Sequence, residues 1–332
     1  MASEDDIKAH LQLAIPDIDT VSSIRDCSKG CDNWVYLVSY TTKADDGLER
    51  AIWRCPRNPT PPHQMHKVAF QAAVLRRLEE GGVRAPRLIY EDPGQQFLVE
   101  SCLGNEDATV AIFKDATRDY VVREMAHELS RLHAALPAES GFGYMTTEKD
   151  DPFLTSSFAP TWWAFVHQEI ESNTRDLVGD EGEEVRKRFR ELSGSAQDHL
   201  DSVTQPVFVH SDLDGANARV HIEGTAEDEV HVQFCGLIDF ADGICGDPLF
   251  DMATLWDHCA LTEYFETIFQ PFFRQYCVSA GISPTLAQLK VVALYGCMYA
   301  IWRSGPERTL RMLDHALDLS HDDLDRLTSE AK

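Results

Sequence analysis

The sequence predicts an α+β fold in two lobes: a smaller N-terminal antiparallel β-sheet lobe with one main helix over residues 1–104, and a larger, mostly helical C-terminal lobe with a β-hairpin over 105–332. Three observations predict it. A length of 332 residues is enough for two lobes sharing a cleft. Period-two apolar alternation is concentrated before Gly104, with a single helical pattern at 68–78. Helical periodicity dominates afterwards, broken by a strand and a hairpin pattern at 206–238.

Composition narrows the class. Hydrophobic residues make up 43% and charged residues 26%, the proportions of an ordinary globular chain. The net charge is −25, of which residues 105–332 carry −22, because residues 1–104 hold 12 basic against 15 acidic side chains. An acidic second lobe argues against a nucleic-acid partner, which needs a basic footprint. It would attract a cationic partner, and it also serves simply to keep a protein in solution. Nine cysteines, scattered from Cys27 to Cys297 without paired zinc spacing, read as free thiols of a reducing compartment, so a cytoplasmic location is expected. Residues 1–6 are acidic and no apolar core follows, so no secretory leader is expected. The most apolar stretch, 286–302, contains Gln288, Lys290 and Gly296 and reads as a buried helix, not a membrane span.

Taken in order, residues 4–15 form a lead-in helix before Pro16. Residues 24–40 read as two strands around a loop at 26–33, with Trp34, Tyr36 and Val38 alternating against Val35 and Leu37. After an acidic turn at 45–49, Ala51, Ile52, Trp53 and Arg54 make the next strand. The helix at 68–78 sets Val68, Ala72, Leu75 and Leu78 on one face. Residues 86–90 and 96–100 pair as strands around a turn at Asp92, Pro93 and Gly94. Beyond Gly104, Val121, Met125, Leu129, Leu132 and Leu136 mark an amphipathic helix at 120–136, with His133 near its end. Aromatic residues gather at 142–144 and at a helix start at 161–165. Mixed charges at 181–190 mark a solvated helix face. After Asp251 the pattern is helical at 252–258, 263–280, 284–303 and 306–319.

The chemistry is concentrated at 206–251. The apolar run 206–209 delivers His210, Ser211, Asp212, Leu213 and Asp214, and then Asn217. Strands at 219–222 and 230–238, joined by an acidic turn at 223–229, return the chain to Asp239 and Phe240, ahead of Gly246, Asp247, Pro248 and Asp251. Asp and Asn in a glycine-containing loop also make ordinary turns. Phosphoryl transfer, however, needs a carboxylate to take the proton of the attacking hydroxyl, and oxygen ligands for Mg²⁺ at the nucleotide phosphates. Protein kinases supply these as His-x-Asp-x-x-x-x-Asn and a later Asp-Phe after a strand. His210, Asp212 and Asn217 fit the first pattern and Asp239 the second. Asp212 is therefore the expected base, and Asn217 and Asp239 are the expected Mg²⁺ ligands.

These residues make the stretch similar to the aminoglycoside phosphotransferase and choline kinase-like family, small-molecule kinases with a bilobal protein-kinase-like fold. The family string is His-Gly-Asp-Leu-His with a following Asn, then Ile-Asp-Phe or Ile-Asp-Trp, then Gly-Asp-Pro; here Ser211 replaces the Gly and Asp214 the second His. The Gly-Phe-Gly turn at 141–143, with the aromatic residues at 161–165, resembles the hygromycin B phosphotransferase branch. The resemblance implies ATP or GTP as donor and a hydroxyl of a small cationic molecule as acceptor, an aminoglycoside or aminocyclitol such as hygromycin B. Its alternatives are a choline kinase or hydroxylysine kinase type, or a catalytically weak binding module. Phosphate binding is expected from the loop holding Ser28, Gly30 and Asn33, where small side chains let backbone N–H groups approach anions, and from Arg54, which replaces the Lys of protein kinases. Glu100 and Cys102 fall at the strand and hinge beside the purine. Gln71 occupies the helix position that normally supplies a Glu to the phosphate-binding cation. Either Arg54 is held otherwise, or Gln71 hydrogen-bonds to it, or the lobe stays relaxed until nucleotide arrives. The resemblance implies that Asp251 braces the catalytic loop, with His210 and Asp247 supporting it, and Asp214, Trp256, Asp257 and Glu263 are expected to face the acceptor. A protein kinase is disfavoured, since no Ala-Pro-Glu element follows Asp239 and Ser211 stands where an Arg is usual.

Overall fold

Helix α1 (Glu4–Ala14) opens on a capping box, in which the Ser3 hydroxyl accepts from the Asp6 N–H and the Asp6 carboxylate accepts from the Ser3 N–H. Strands β1 (Ile18–Asp26), β2 (Asn33–Thr42) and β3 (Glu49–Pro56) follow, then helix α2 (Lys67–Glu80) and strands β4 (Leu88–Asp92) and β5 (Phe97–Ser101). These strands form one antiparallel sheet in the order β1-β2-β3-β5-β4. The computed structural model describes residues 2–28, 33–57, 67–92, 94, 96–138, 141–145, 158–224 and 230–329. The expected turn residue Pro93, the loop residues Gly30 and Cys31, and the acidic turn at 225–229 lie outside them.

Strand β1 starts earlier than the alternation suggested. It is an edge strand with most side chains exposed and two register shifts, so burial imposes no clean period on it. Ile7 and Leu11 of α1 join Trp53, Phe97 and Val99 in the core of this sheet. Helix α2 turns the other way, burying Val74, Leu75 and Leu78 in the main core of the chain.

The remaining elements are strand β6 (Glu106–Asp107), helices α3 (Thr109–Ile112) and α4 (Asp115–Ala135), strand β7 (Gly143–Tyr144), and helices α5 (Trp162–Thr174), α6 (Gly179–Ser195) and α7 (Gln197–Ser202). Next come strands β8 (Val207–Val209), β9 (Ala218–Glu223), β10 (His231–Leu237) and β11 (Ile244–Gly246). Helices α8 (Ala253–Cys259), α9 (Gln270–Ala280), α10 (Leu286–Ser304), α11 (Pro306–Leu317) and α12 (His321–Thr328) complete the chain. The helical pattern at 263–280 is divided by a widened turn at Phe265–Phe269, just before Pro271, whose missing N–H cannot close a regular helical hydrogen bond.

Strands β9 and β10 form the expected hairpin, with Ala218 opposite Leu237 and a bulge between Phe234 and Gly236. Strand β6 adds to its β9 side just after Gly104. At Gly104, φ is +53° and a Cβ would lie 2.3 Å from the Val220 carbonyl oxygen, so only glycine lets the chain pass that close to the hairpin. Strand β8 lies beside β11, which brackets the catalytic loop with the Gly246, Asp247 and Pro248 segment. Among the described residues no helix is long and apolar enough to cross a membrane.

Candidate active site

Strand β8 ends at Val209, and the next residues leave the sheet through a left-handed backbone at Ser211, φ +68°. The position suits glycine, the residue usual in the family string. Serine is held there by two contacts, its N–H donating to Asp251 Oδ1 at 2.6 Å and its hydroxyl to the Asp242 carbonyl at 2.6 Å, while the neighbouring His210 N–H donates to Asp251 Oδ2 at 2.9 Å. Asp251 is 1% exposed, and His133 Nε2 also reaches its Oδ2 at 2.9 Å. His133 in turn meets the Tyr276 hydroxyl at 2.8 Å, so this packed histidine orients the brace of the loop.

His210 ties the loop to the hairpin. Its Nε2 lies 2.8 Å from the Ile238 carbonyl, which can only accept, and its Nδ1 accepts the Asp212 N–H at 3.4 Å. Asp214 caps the short turn Gly215–Asn217, accepting from the N–H groups of Ala216 (2.8 Å) and Asn217 (3.2 Å). Its carboxylate thus shapes the loop. Asp247 is buried under N–H donation from Leu249 (3.0 Å), the Tyr295 hydroxyl (2.8 Å) and His199 Nε2 (2.8 Å).

The Asn217 amide donates to the Asp212 carbonyl (2.7 Å) and to Asp212 Oδ2 (3.2 Å), while the Ile238 N–H donates to the Asn217 carbonyl at 2.9 Å. The hairpin so returns Asp239 beside Asn217, again through a left-handed residue, φ +67°. Non-glycine residues held in this region cluster at functional sites. Burial pushes the Asp212 carboxyl above its ordinary range, Arg303 opposes this, and the negative charges of Asp214 and Asp239 add to the rise.

Arg54 reaches Asp239 from the first sheet. Its Nη1 lies 3.0 Å from Asp239 Oδ1 and 3.2 Å from Gln71 Oε1, and its Nη2 lies 3.0 Å from Glu100 Oε1. Gln71 closes the ring by donating to Glu100 Oε2 at 3.3 Å. Burial alone would lower the Arg54 pKa, but Glu100 and then Asp239 outweigh it and hold it raised. Of the three possibilities left open for Gln71, two are observed together: Gln71 hydrogen-bonds to Arg54, and Arg54 is also held otherwise, by Glu100 and Asp239. The carboxylate of Glu100, expected beside the purine, is 2% exposed and directed into Arg54. Cys102 is partly buried at the end of β5, with its thiol nearest the Gly104 carbonyl. Ser28 closes the first hairpin, its hydroxyl accepting the Val35 N–H at 2.8 Å, and the Asn33 carbonyl accepts from Arg57 Nε at 3.1 Å.

A cavity of about 750 Å³ opens on Asp212. Its wall comes from β7 (Tyr144), α5 (Phe165, Glu169) and the last turns of α10 (Tyr299, Trp302, Arg303). Arg303 Nη2 lies 2.9 Å from Asp212 Oδ1, and its Nη1 lies 3.1 Å from His258 Nε2. The three acceptor residues expected just after Asp251 are elsewhere. Trp256 is fully buried, edge to face with Phe265 and Phe269 and stacked on His315. Asp257 is 2% exposed and paired with Arg308 at 3.1 Å. Glu263 is exposed and does not line the cavity. Helix α8 packs inward against α10, so proximity in sequence to Asp251 does not bring these side chains to the acceptor space. The wall residues not singled out by the sequence, Tyr299, Trp302 and Arg303, lie on a helix that is buried over most of its length.

Oxygen donors from Asn217 and Asp239 suit Mg²⁺, which binds through one or two carboxylates and completes its shell with water and substrate phosphate. Among the described residues no group of three or more His, Cys, Asp or Glu could hold a metal ion by itself.

A model of the phosphotransferase enzyme family (APH) matches residues 23–291, and the chain belongs to that family. Comparison with curated proteins gives no match. Among solved structures, the fold is similar to that of aminoglycoside phosphotransferase APH(4)-Ia, with a TM-score of 0.59 and 13% identity over 99% of this chain and 100% of the other. The GDP complex of aminoglycoside 2'-phosphotransferase-IIIa aligns with a TM-score of 0.61 and 16% identity over 95% and 99%. The streptomycin-ATP-APH(2")-IIa ternary complex aligns with a TM-score of 0.55 and 17% identity over 97% and 99%.

Proposed function

We propose that this protein transfers the γ-phosphoryl group of ATP or GTP, in a Mg²⁺-dependent reaction, to a hydroxyl of a small molecule bound in the cavity. The observation that carries the reading is the meeting of Asp212, Asn217 and Asp239 on two adjoining loops, with Asp212 open to the cavity and Asp239 in contact with Arg54. Asp212 orients the acceptor hydroxyl and takes its proton. The acceptor oxygen bonds to the γ-phosphorus as the bridging bond to the β-phosphate breaks, and the nucleoside diphosphate leaves with the electron pair. Asn217 and Asp239 would hold Mg²⁺, which when bound neutralises charge between the β- and γ-phosphates. Arg54 stays charged and offers a fork of donors to phosphate.

Gln71, Asp214 and the lengthened turn at 223–229 keep a catalytically weak binding module open as an alternative, and the first two have structural accounts. Glu100 supplies the anion that Gln71 cannot, and Asp214 is engaged as a turn cap. A cationic acceptor such as hygromycin B is supported by the acidic surplus of the second lobe and by the aminoglycosides named in the neighbouring complexes. The test is ³¹P detection of transfer from Mg-ATP and Mg-GTP to a panel of hydroxylated small molecules. Asp212→Asn is expected to lower turnover by about 10²- to 10⁴-fold with nucleotide affinity retained. Undiminished turnover in that variant removes Asp212 as the base.

A further inference from the structure

Two cations reach the candidate catalytic residues, one from each side. Arg54 approaches through Asp239 and is fixed in the first sheet by Glu100 and Gln71. Arg303 approaches through Asp212, with its Nη2 2.9 Å from Oδ1. The catalytic loop itself supplies no such charge, since residues 210–217 contain no Arg or Lys and Asp214 stands where the family string has its second His. Among the described residues lining the cavity, Arg303 is the single Arg or Lys.

The two pairs differ in how firmly they are held. Arg54 and Glu100 are buried, whereas the side chains of Arg303 and Asp212 are 28% and 41% exposed. A half-exposed pair contributes little stability and separates readily. The last turn of α10 carries Arg303, whose guanidinium lies 5.6 Å from the centre of the Tyr299 ring and whose Nη1 is 3.1 Å from His258 Nε2. It can turn from Asp212 without leaving the wall. Where it turns follows from reach. An acceptor hydroxyl lies about 2.6–3.2 Å from the carboxylate of its base, and the phosphorus it attacks about 3–3.5 Å further on. A guanidinium bonded to the same carboxylate is next to both.

Resting on the phosphotransfer reading above, we propose that Arg303 is a further catalytic residue, whose guanidinium passes from Asp212 to the oxygens of the γ-phosphoryl group during transfer. At that stage the bond to the bridging oxygen is breaking, the bond to the acceptor oxygen is forming, and negative charge is spread over the equatorial oxygens. The hydroxyl proton goes to Asp212, which cancels the charge that held Arg303 there. The guanidinium is then left to the phosphoryl oxygens, which its planar fork of donors fits. Glu169 and Asp242 also line the cavity, so a cationic acceptor is still matched in charge.

The test uses the full chain and needs no acceptor. Mg-ADP and Mg-GDP are titrated by calorimetry with and without aluminium fluoride, which beside the diphosphate mimics the phosphoryl group in flight. In the wild type the fluoride is expected to tighten binding at least tenfold. Arg303→Met, or Arg303→Gln should the first fold poorly, should keep the affinity for the diphosphate alone within twofold and cut the gain to less than threefold. Arg303→Lys should recover part of it. The same loss is expected in an Asp212→Asn background, where Arg303 has no carboxylate to act through. A gain in Arg303→Met equal to that of the wild type overturns the proposal. So does a loss that vanishes in the Asp212→Asn background, which would make Arg303 a positioning residue for the base. With an acceptor found in the ³¹P panel, Arg303→Met should lower kcat by about 10²- to 10³-fold, and a kcat within fivefold of wild type is the contrary result. Failure of both diphosphates to bind the wild type sinks the phosphotransfer reading and the proposal with it, whereas binding with an unchanged gain removes Arg303 alone.

Discussion

Replacing Glu100 with Gln tests the account of Arg54 most directly. The pair is 3.0 Å apart and its side chains are only 7% and 3% exposed, so removing one partner leaves a buried guanidinium short of its counter-charge. Breaking a buried pair in this way costs about 3–5 kcal/mol. Arg54 keeps Asp239 at 3.0 Å, but that carboxylate is 47% exposed, and a pair of that kind offsets at most about 1 kcal/mol. A net loss of about 3 kcal/mol is therefore expected for Glu100→Gln. With a denaturant slope of about 3 kcal/mol/M, the urea midpoint followed by circular dichroism should fall by about 1 M. The companion variant joins Gln71→Glu to Glu100→Gln, moving the carboxylate to α2, where the side chain already lies 3.2 Å from Arg54. It should recover at least about 2 kcal/mol, as expected for coupled neighbours. A midpoint shift in Glu100→Gln below about 0.3 M, or a swap that recovers nothing, would refute the idea that Glu100 has taken over the role of a helix-borne Glu.

Asp239→Asn should raise the Mg²⁺ concentration needed for half-maximal turnover at least tenfold, and an unchanged metal titration would remove Asp239 from the site. The acid limb of the pH profile of kcat/KM should lie above the ordinary carboxylate range. Burial raises the Asp212 pKa, with Asp214 and Asp239 adding to it and Arg303 and His210 opposing, and the base works only when ionised, so turnover is lost as pH falls through that raised value. Arg303→Met should move this limb further up, and a limb that stays in place contradicts the ion pair. Ser211→Gly should change stability by no more than about 1 kcal/mol, since relief of a left-handed residue, about 1 kcal/mol, is set against loss of the hydroxyl bond to the Asp242 carbonyl, of similar size. A urea midpoint displaced by several kcal/mol equivalents would show that Ser211 does more than occupy a glycine position.

The catalytic loop was legible because its chemistry is local. His210, Asp212, Asn217 and Asp239 are joined by one turn and one hairpin, and the required residue types fall at spacings that the turn and hairpin close. The partner of Arg54 was not legible, for a reason of register. Arg54 lies opposite Leu98 across β3 and β5, which places Glu100 diagonally on the same face. One residue of slip would turn Glu100 to the other face, and nothing in either strand taken alone fixes the pairing. The position of the turn residue Asp214 shows the same limit in reverse. Its charge beside the base suggested an effect on the acceptor, whereas its two N–H bonds make it a cap.

The acceptor wall followed neither kind of signal. Most of α10 is buried on every side, from Leu289 through Tyr295 to Ile301, so its sequence has no polar face to orient it. Only the last turn leaves the core, and it carries Trp302 and Arg303 to the cavity, where Arg303 meets Asp212, 91 residues away in the chain. Helix α5 contributes its face through Phe165 and Glu169, again by tertiary packing. The candidate catalytic residues and the cavity wall are therefore built on different material, a short loop and hairpin on one side and the end of α10 with one face of α5 on the other, and the Arg303–Asp212 pair joins the two. With 13% to 17% identity to the aligned aminoglycoside kinases, the chain shares their fold.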